Sequence, residues 1–275
     1  MNKNIGTIFK NLKNEDDIFY KEVKSKISYP ENGNKTCFNL EDSSFWFEHR
    51  NNCIFEIVKH FYKPGKFLFD IGGGNGFVSK YLQTKGIETI MLEPGKDGVI
   101  NSKKRGVKNI ICSTLQNLDI QKNIIPYAGL FDVLEHIKDE EEFLSLIYNF
   151  LEDNGYLFIT VPAFNFLWSE ADSHAGHFRR YTLNYLEKIL IKQSFQKVYS
   201  TYFFSFLPFP IFLFRTVPYK LKIRKYNKNI SKKGHMRKSG FFKKMLELIL
   251  RTELNKLSEK KYIPVGGSCF MVVKK

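Results

Sequence analysis

The chain has 275 residues, 43% hydrophobic and 26% charged, which excludes bulk disorder and admits one large domain or one domain carrying an insertion. Its net charge of +15 is localised, because between Arg215 and Lys261 sixteen Lys/Arg accompany only Glu247, Glu253 and Glu259. Four well-separated cysteines without a CxxC pair argue against a disulfide framework or a cysteine zinc site, in keeping with a reducing compartment.

In chain order, the polar start MNKNIGTIFKNLKNEDD has no signal-peptide h-region, and residues 1–42 give weak signals. Within them SYPENGNKTCF reads as an Asn/Gly loop. SSFWFEHRNNCIFEIVKHF places Trp46, Cys53, Ile57 and Phe61 roughly on one helical face, with Arg50 at its border and Pro64 and Gly65 as the stop. KFLFDI is then a short apolar strand ending in a glycine turn, FVSKYLQTKG a helix closed by Gly86, and ETIMLE, KNIICS and YAGLF three further strands. EEEFLSLIYNFLEDNG is an amphipathic helix with Gly155 as its expected stop, YLFITVP a strand buried on both faces, and LNYLEKILIKQ a helix capped by Thr182. QKVYSTYFF and SCFMVVKK complete seven strands. Alternation of strand and helix predicts a mostly parallel α/β sheet with helices on both faces.

The glycines that matter are Gly72, Gly74 and Gly76, following Asp70. A dinucleotide fingerprint needs glycine where this chain has Phe77, which disfavours a nicotinamide dehydrogenase. A carboxylate at the head of the turn repels a diphosphate and attracts an ammonium, so the chemistry points to a zwitterionic cofactor.

LFDIGGGNG, the acidic strand end MLEP with Glu93 nineteen residues after Gly74, and FDVLEHI together resemble a class I S-adenosylmethionine-dependent methyltransferase. The resemblance covers about residues 43–200 and the last strand. It implies a Rossmann-like fold and S-adenosylmethionine as cofactor, with Asp70, Gly72, Gly74 and Gly76 against the methionine part. It further implies Glu93 on the ribose hydroxyls, Ser113 or its neighbour Thr114 at the adenine, and Asp132 at the methionine end. Pro126 and Tyr127 stand where the family usually carries an acidic residue. Arg50, on a helix resembling one in a branch of these enzymes, is either a bidentate partner of the cofactor carboxylate or a helix-pairing arginine.

For the acceptor, DVLEHIKDE and LWSEADSHAGHFRRYT are expected at the carboxyl ends of strands, where such folds place ligands. His136 and His177 suit a base that relieves an acceptor hydroxyl of its proton, or else anchor backbone and loop. Arg179 and Arg180 either clamp an anionic substrate or form structural ion pairs. No metal is assigned. Asp132, Glu135 and His136 with His174 or His177 nevertheless follow a pattern that also occurs in metal-assisted O-methyltransferases, so convergence there is the alternative.

Between the last two strands, YFFSFLPFPIFLFRTVPYKLKIRK is apolar first and basic after, interrupted by Pro208, Pro210 and Pro218, which argues against a spanning helix. It reads as a lid, a dimer interface, or a segment that meets an anionic leaflet. The expected organisation is an N-terminal loop and helical cap (1–64), a cofactor-binding core (65–203 and 266–275) and an apolar, basic insertion (204–265). The expected activity is methyl transfer to an oxygen or nitrogen of a small-molecule, lipid-linked or sugar-linked acceptor. The alternatives are a non-catalytic module that holds the cofactor, and a nucleic-acid methyltransferase. Against the last, the aromatics of the basic segment cluster instead of interleaving as a stacking surface. The expected location is cytoplasmic, with peripheral contact to an anionic membrane.

Overall fold

The computed structural model describes residues 5–21, 33–222 and 241–275. The strands are β1 (Phe9–Lys10), β2 (Lys13–Glu15), β3 (Ile18–Tyr20), β4 (Leu68–Ile71), β5 (Thr89–Glu93), β6 (Ile110–Cys112), β7 (Asp119–Ile120), β8 (Ile125–Phe131), β9 (Leu151–Pro162), β10 (Gln196–Phe203) and β11 (Ser268–Lys274). Nine of them form one sheet in the order β10-β11-β9-β8-β4-β5-β6-β3-β2, while β1 pairs with β7. All seven expected strands are there. β11 runs antiparallel between β10 and β9, and β4, β5, β6, β8 and β9 are mutually parallel.

Alternation along each strand feeds two cores. Phe69 and Ile71 of β4, with Met271 and Val273 of β11, pack under the helices Glu140–Phe150 and Leu183–Lys192. Leu68, Phe270 and Val272 point the other way, toward the helices Phe45–Val58 and Phe77–Thr84. Leu257 of the helix Phe241–Ser258 joins that second core, so the far end of the insertion is part of the packed fold.

Three expectations change. Residues read as weak signal supply β2 and β3, which extend the sheet by parallel pairing of β3 on β6. The part of SYPENGNKTCF from Gly33 onward is the start of a helix, Gly33–Glu41; its earlier residues, like residues 223–240 of the insertion, lie outside the described ones. Finally, the helix from Glu140 ends at Phe150 and not at Gly155, because buried Leu151 turns extended to pair with Ile125. The caps behaved as read: the Thr182 hydroxyl accepts from the Tyr185 amide at 3.2 Å, and Gly86 closes its helix at φ 81°.

Strand order reverses at β4, whose neighbours are β5 and β8. In open parallel sheets the crevice at such a reversal, outside the carboxyl ends of the strands, is where ligands bind. The glycine turn follows β4 at that point.

Candidate active site

The turn begins at Gly72, φ 75°, whose amide donates to the Leu92 carbonyl at 2.7 Å. A Cβ there would lie 2.8 Å from Val133, so the turn is pressed against the loop after β8. Gly74 differs. At φ 55° a Cβ would meet nothing nearer than the Asn34 side chain at 3.9 Å, so its face toward the crevice is open. Asp70 is buried, and its carboxylate accepts from the Ser79 hydroxyl at 2.6 Å, tying the end of β4 to the following helix. Burial pushes the Asp70 carboxyl up to about 6, against the pull of Ser79 and Arg50.

Glu93, at the end of β5, accepts from the Gly74 amide at 2.9 Å and the Gly95 amide at 2.8 Å. Burial nonetheless pushes it up to about 7. One carboxylate therefore holds both loops that flank the crevice. Ser113 is fully buried after β6, and its hydroxyl and that of Thr114 have no hydrogen-bond partner among the described residues. Buried hydroxyls are rarely left this way, so the pair is suited to a ligand edge.

Arg50 and Asp132 meet at the opposite end of the crevice. The Arg50 guanidinium donates to Asp132 at 2.5 Å, Thr160 donates to the other Asp132 oxygen at 3.2 Å, and Trp46 and Phe47 lie against the guanidinium. Asp132 itself takes φ 59°, a left-handed conformation that aspartate adopts more readily than most non-glycine residues. A cation beside an anion at one pole of the crevice matches a ligand carrying both an amino and a carboxylate group.

The helix Gly33–Glu41 closes the crevice from above and was missed in the sequence. Its signal was Asn75, inside the glycine turn, whose amide donates to the Asn34 carbonyl at 3.0 Å and to Glu41 at 3.1 Å. Arg105 adds a 2.7 Å bond to Glu41 and stacks on Phe38 and Phe77.

Beyond Asp132, a short 3₁₀ turn carries Glu135 and His136. The His136 and His177 rings lie 4.8 Å apart, edge to face. Burial, reinforced by the neighbouring His177, pushes His136 down to about 3, so its imidazole is neutral at ordinary pH. His177 is held through Nδ1 by Asp172 at 3.1 Å. Burial disfavours the ionised Asp172, but the His177 bond and Arg180 outweigh it and hold its carboxyl well below the usual range. Arg180 grips Asp172 at 2.7 Å and Arg179 pairs with Glu140 at 2.8 Å, so both arginines are structural partners and not free anion clamps. Exposed His174 turns toward Glu170 instead of joining the His136–His177 pair. Asp172 was the other residue sequence reading missed: nothing in the spacing links it to a histidine five positions on, until the turn at Gly176 brings them together.

The glycine turn, Glu93, Ser113, Thr114, Arg50, Asp132, His136 and His177 border one cleft of about 1810 Å³, which ends against Phe214 and Tyr219 of the insertion. Ligand sites commonly enclose roughly 300–1,000 Å³, so this cleft has room for a cofactor and a second molecule.

Fold, switch-point turn, strand-end carboxylate and zwitterion pole together define a class I, S-adenosylmethionine-dependent methyltransferase. The methyltransferase-domain family model matches residues 46–200, and the chain belongs to that family. No curated protein matches the sequence. Among solved structures the chain is similar to phosphoethanolamine N-methyltransferase 2 of Haemonchus contortus in complex with phosphomonomethylethanolamine and S-adenosylhomocysteine. That match has 17% identity and a TM-score of 0.55 and covers 90% of this chain but 58% of the nematode enzyme. It is also similar to a SAM-dependent methyltransferase of Thermotoga maritima, at 18% identity, TM-score 0.53 and coverage of 89% and 95%. The plantazolicin methyltransferase in complex with a desmethyl analogue and S-adenosylhomocysteine gives 15%, 0.55, and 90% and 92%. These likenesses establish the fold; the acceptor is a separate question.

Proposed function

We propose that this enzyme transfers the methyl group of S-adenosylmethionine to an oxygen or nitrogen of a small-molecule, lipid-linked or sugar-linked acceptor seated beside His177. The supporting observation is the continuity of the cleft: one end offers the zwitterion pole, and the other a histidine oriented by a buried carboxylate. Glu93 accepts from the ribose hydroxyls, Ser113 and Thr114 face the adenine, and Arg50 and Asp132 exchange part of their mutual pairing for the carboxylate and ammonium of the methionine moiety. Displacement at a sulfonium methyl needs an aligned nucleophile above all. A hydroxyl acceptor gives its proton to His177, whose developing charge Asp172 stabilises; an amine acceptor needs only orientation. His136, held neutral by burial, packs against His177 and fixes its ring.

A second reading rests on a specific cluster. Donor atoms of Glu135, His136 and His177 lie within 4.8 Å of one another, and one Glu135 carboxylate oxygen is buried with no hydrogen-bond partner among the described residues. Asp172 occupies Nδ1 of His177, which leaves Nε2 available, as in carboxylate–histidine–metal arrangements. The donor set fits a divalent cation, and such an ion would acidify an acceptor hydroxyl.

One pair of measurements separates these readings. Methyl transfer from labelled cofactor to an extract-derived hydroxyl acceptor should fall about 10²- to 10⁴-fold in His177→Gln, with calorimetric cofactor binding intact and chelator without effect. Unchanged turnover in that variant would remove His177 from the reaction. Saturable Mn²⁺ binding by spin resonance, lost in Glu135→Gln, would transfer the three side chains to the metal reading.

A further inference from the structure

Between β10 and residue 222, the chain forms a short helix Pro208–Ile211, a wide turn Phe212–Thr216 and a second short helix Val217–Lys220. It is anchored from within: Thr216 is fully buried and its hydroxyl donates to the Leu167 carbonyl at 3.0 Å, while the Phe212 ring meets Phe166 edge to face. What it leaves outside is unusual. Phe209 is 74% exposed, Phe214 66%, Leu221 61% and Leu213 44%. Isolated exposed apolar residues are common, but several on one anchored segment of thirteen residues mark an interaction surface.

The charge around this surface selects the partner. Arg215, Lys220 and Lys222 are exposed beside the apolar side chains. The sequence from 223 to 240 then adds seven Lys/Arg, and no Asp or Glu occurs between 204 and 240. A second copy of the chain would bring two such cationic segments face to face, which like-charge repulsion opposes. Nucleic acid would satisfy the cations and offer bases to the phenylalanines, but it leaves exposed Leu213 and Leu221 without an apolar partner. An anionic bilayer satisfies both, with the apolar tips below the headgroups and the cations among them. No helix among the described residues is long and apolar enough to span a bilayer, so the surface suits contact with one leaflet only.

We infer that Phe209–Lys222 is a docking surface for an anionic lipid bilayer, placed so that the acceptor cleft opens at the membrane. Phe214 and Tyr219 belong both to the exposed surface and to the wall of the cleft, so the cleft mouth faces the leaflet. Entry of the acceptor from the bilayer rests on the proposed transfer reaction; the docking surface does not.

Co-sedimentation of the full chain with vesicles of phosphatidylcholine alone, and with about 30% phosphatidylglycerol, tests the surface. Binding is expected only to the anionic vesicles and should weaken with added salt. The triple variant Phe209→Ser, Leu213→Ser, Leu221→Ser, none of which lines the cleft, should lose at least about tenfold in partitioning while calorimetric binding of S-adenosylmethionine stays unchanged. Lys220→Gln with Lys222→Gln should weaken binding at low salt only. Absence of binding to anionic vesicles overturns the proposal. So does a sedimentation-velocity dimer that the triple variant dissociates, or equal vesicle binding by that variant. RNA binding that needs the lysines and ignores the serine substitutions would assign the surface to nucleic acid instead. Because cofactor binding is read separately, a failed vesicle experiment leaves the transfer reaction standing, and a failed transfer reaction leaves the vesicle result standing.

Discussion

Glu93 and Asp70 are buried carboxyls at adjacent strand ends, pushed up to about 7 and about 6 by loss of hydration. Their folded-state values lie above those of the unfolded chain. The stability they contribute is therefore complete below about pH 4 and is lost as pH rises through 6 to 7. Cofactor binding runs the other way in the arrangement we propose, where the ionised Glu93 accepts from the ribose diol. Affinity for S-adenosylmethionine should therefore rise roughly tenfold per pH unit below 7 and level off above it, with proton release that calorimetry in two buffers of different ionisation enthalpy detects. A flat profile would mean that Glu93 binds in its protonated form.

At the scale of elements, Glu253 joins three pieces of backbone. It accepts from His49 at 2.8 Å and from the amides of Phe204 at 2.8 Å and Ser205 at 2.7 Å. Burial opposes its ionisation, but these donors prevail and hold its carboxyl below the ordinary range, so its contribution is lost only as pH falls through that lowered value. His49 sits on the same helix as Arg50, so the insertion helix Phe241–Ser258 steadies the pole of the cofactor crevice. Glu253→Ala strands a buried imidazole and two amides. It should cost about 3–5 kcal/mol in urea unfolding, whereas exposed Glu259→Gln should cost less than about 0.5. Cys53, 3.3 Å from His49, is fully buried with its thiol pushed up, so it takes part as packing and not as a nucleophile.

In the whole molecule, distant parts of the chain converge on one cleft. The helix Gly33–Glu41 covers the glycine turn, and Arg105 fastens it through Glu41, Asp42 and the Phe38 ring. Arg105→Gln should raise the dissociation constant of S-adenosylmethionine about tenfold or more, because the cover then has to be ordered by the ligand. The melting temperature should move by only a few degrees. Equal affinity in wild type and variant would make the helix a bystander.

The strands and the cofactor turn were legible in the sequence because their signals are local. An apolar run of fixed length, a carboxylate at its end and glycines at positive φ specify strand, turn and cofactor chemistry without reference to distant residues. Phe77 in place of a fingerprint glycine and Glu93 beyond it completed that reading. What was hidden depends on contacts between segments far apart in the chain. β2 and β3, three residues each, are too short to announce themselves and become strands only when β6 offers an edge. Arg180 has the residue type of an anion clamp, and only the fold, by placing Asp172 within 2.7 Å, makes it a structural partner. His136 and His177 look alike in sequence, yet burial suppresses the basicity of one while a buried aspartate orients the other. Residue type and spacing thus determined which cofactor chemistry this chain is built for. Burial and long-range pairing, which no local pattern encodes, decided which side chains are free to act on it.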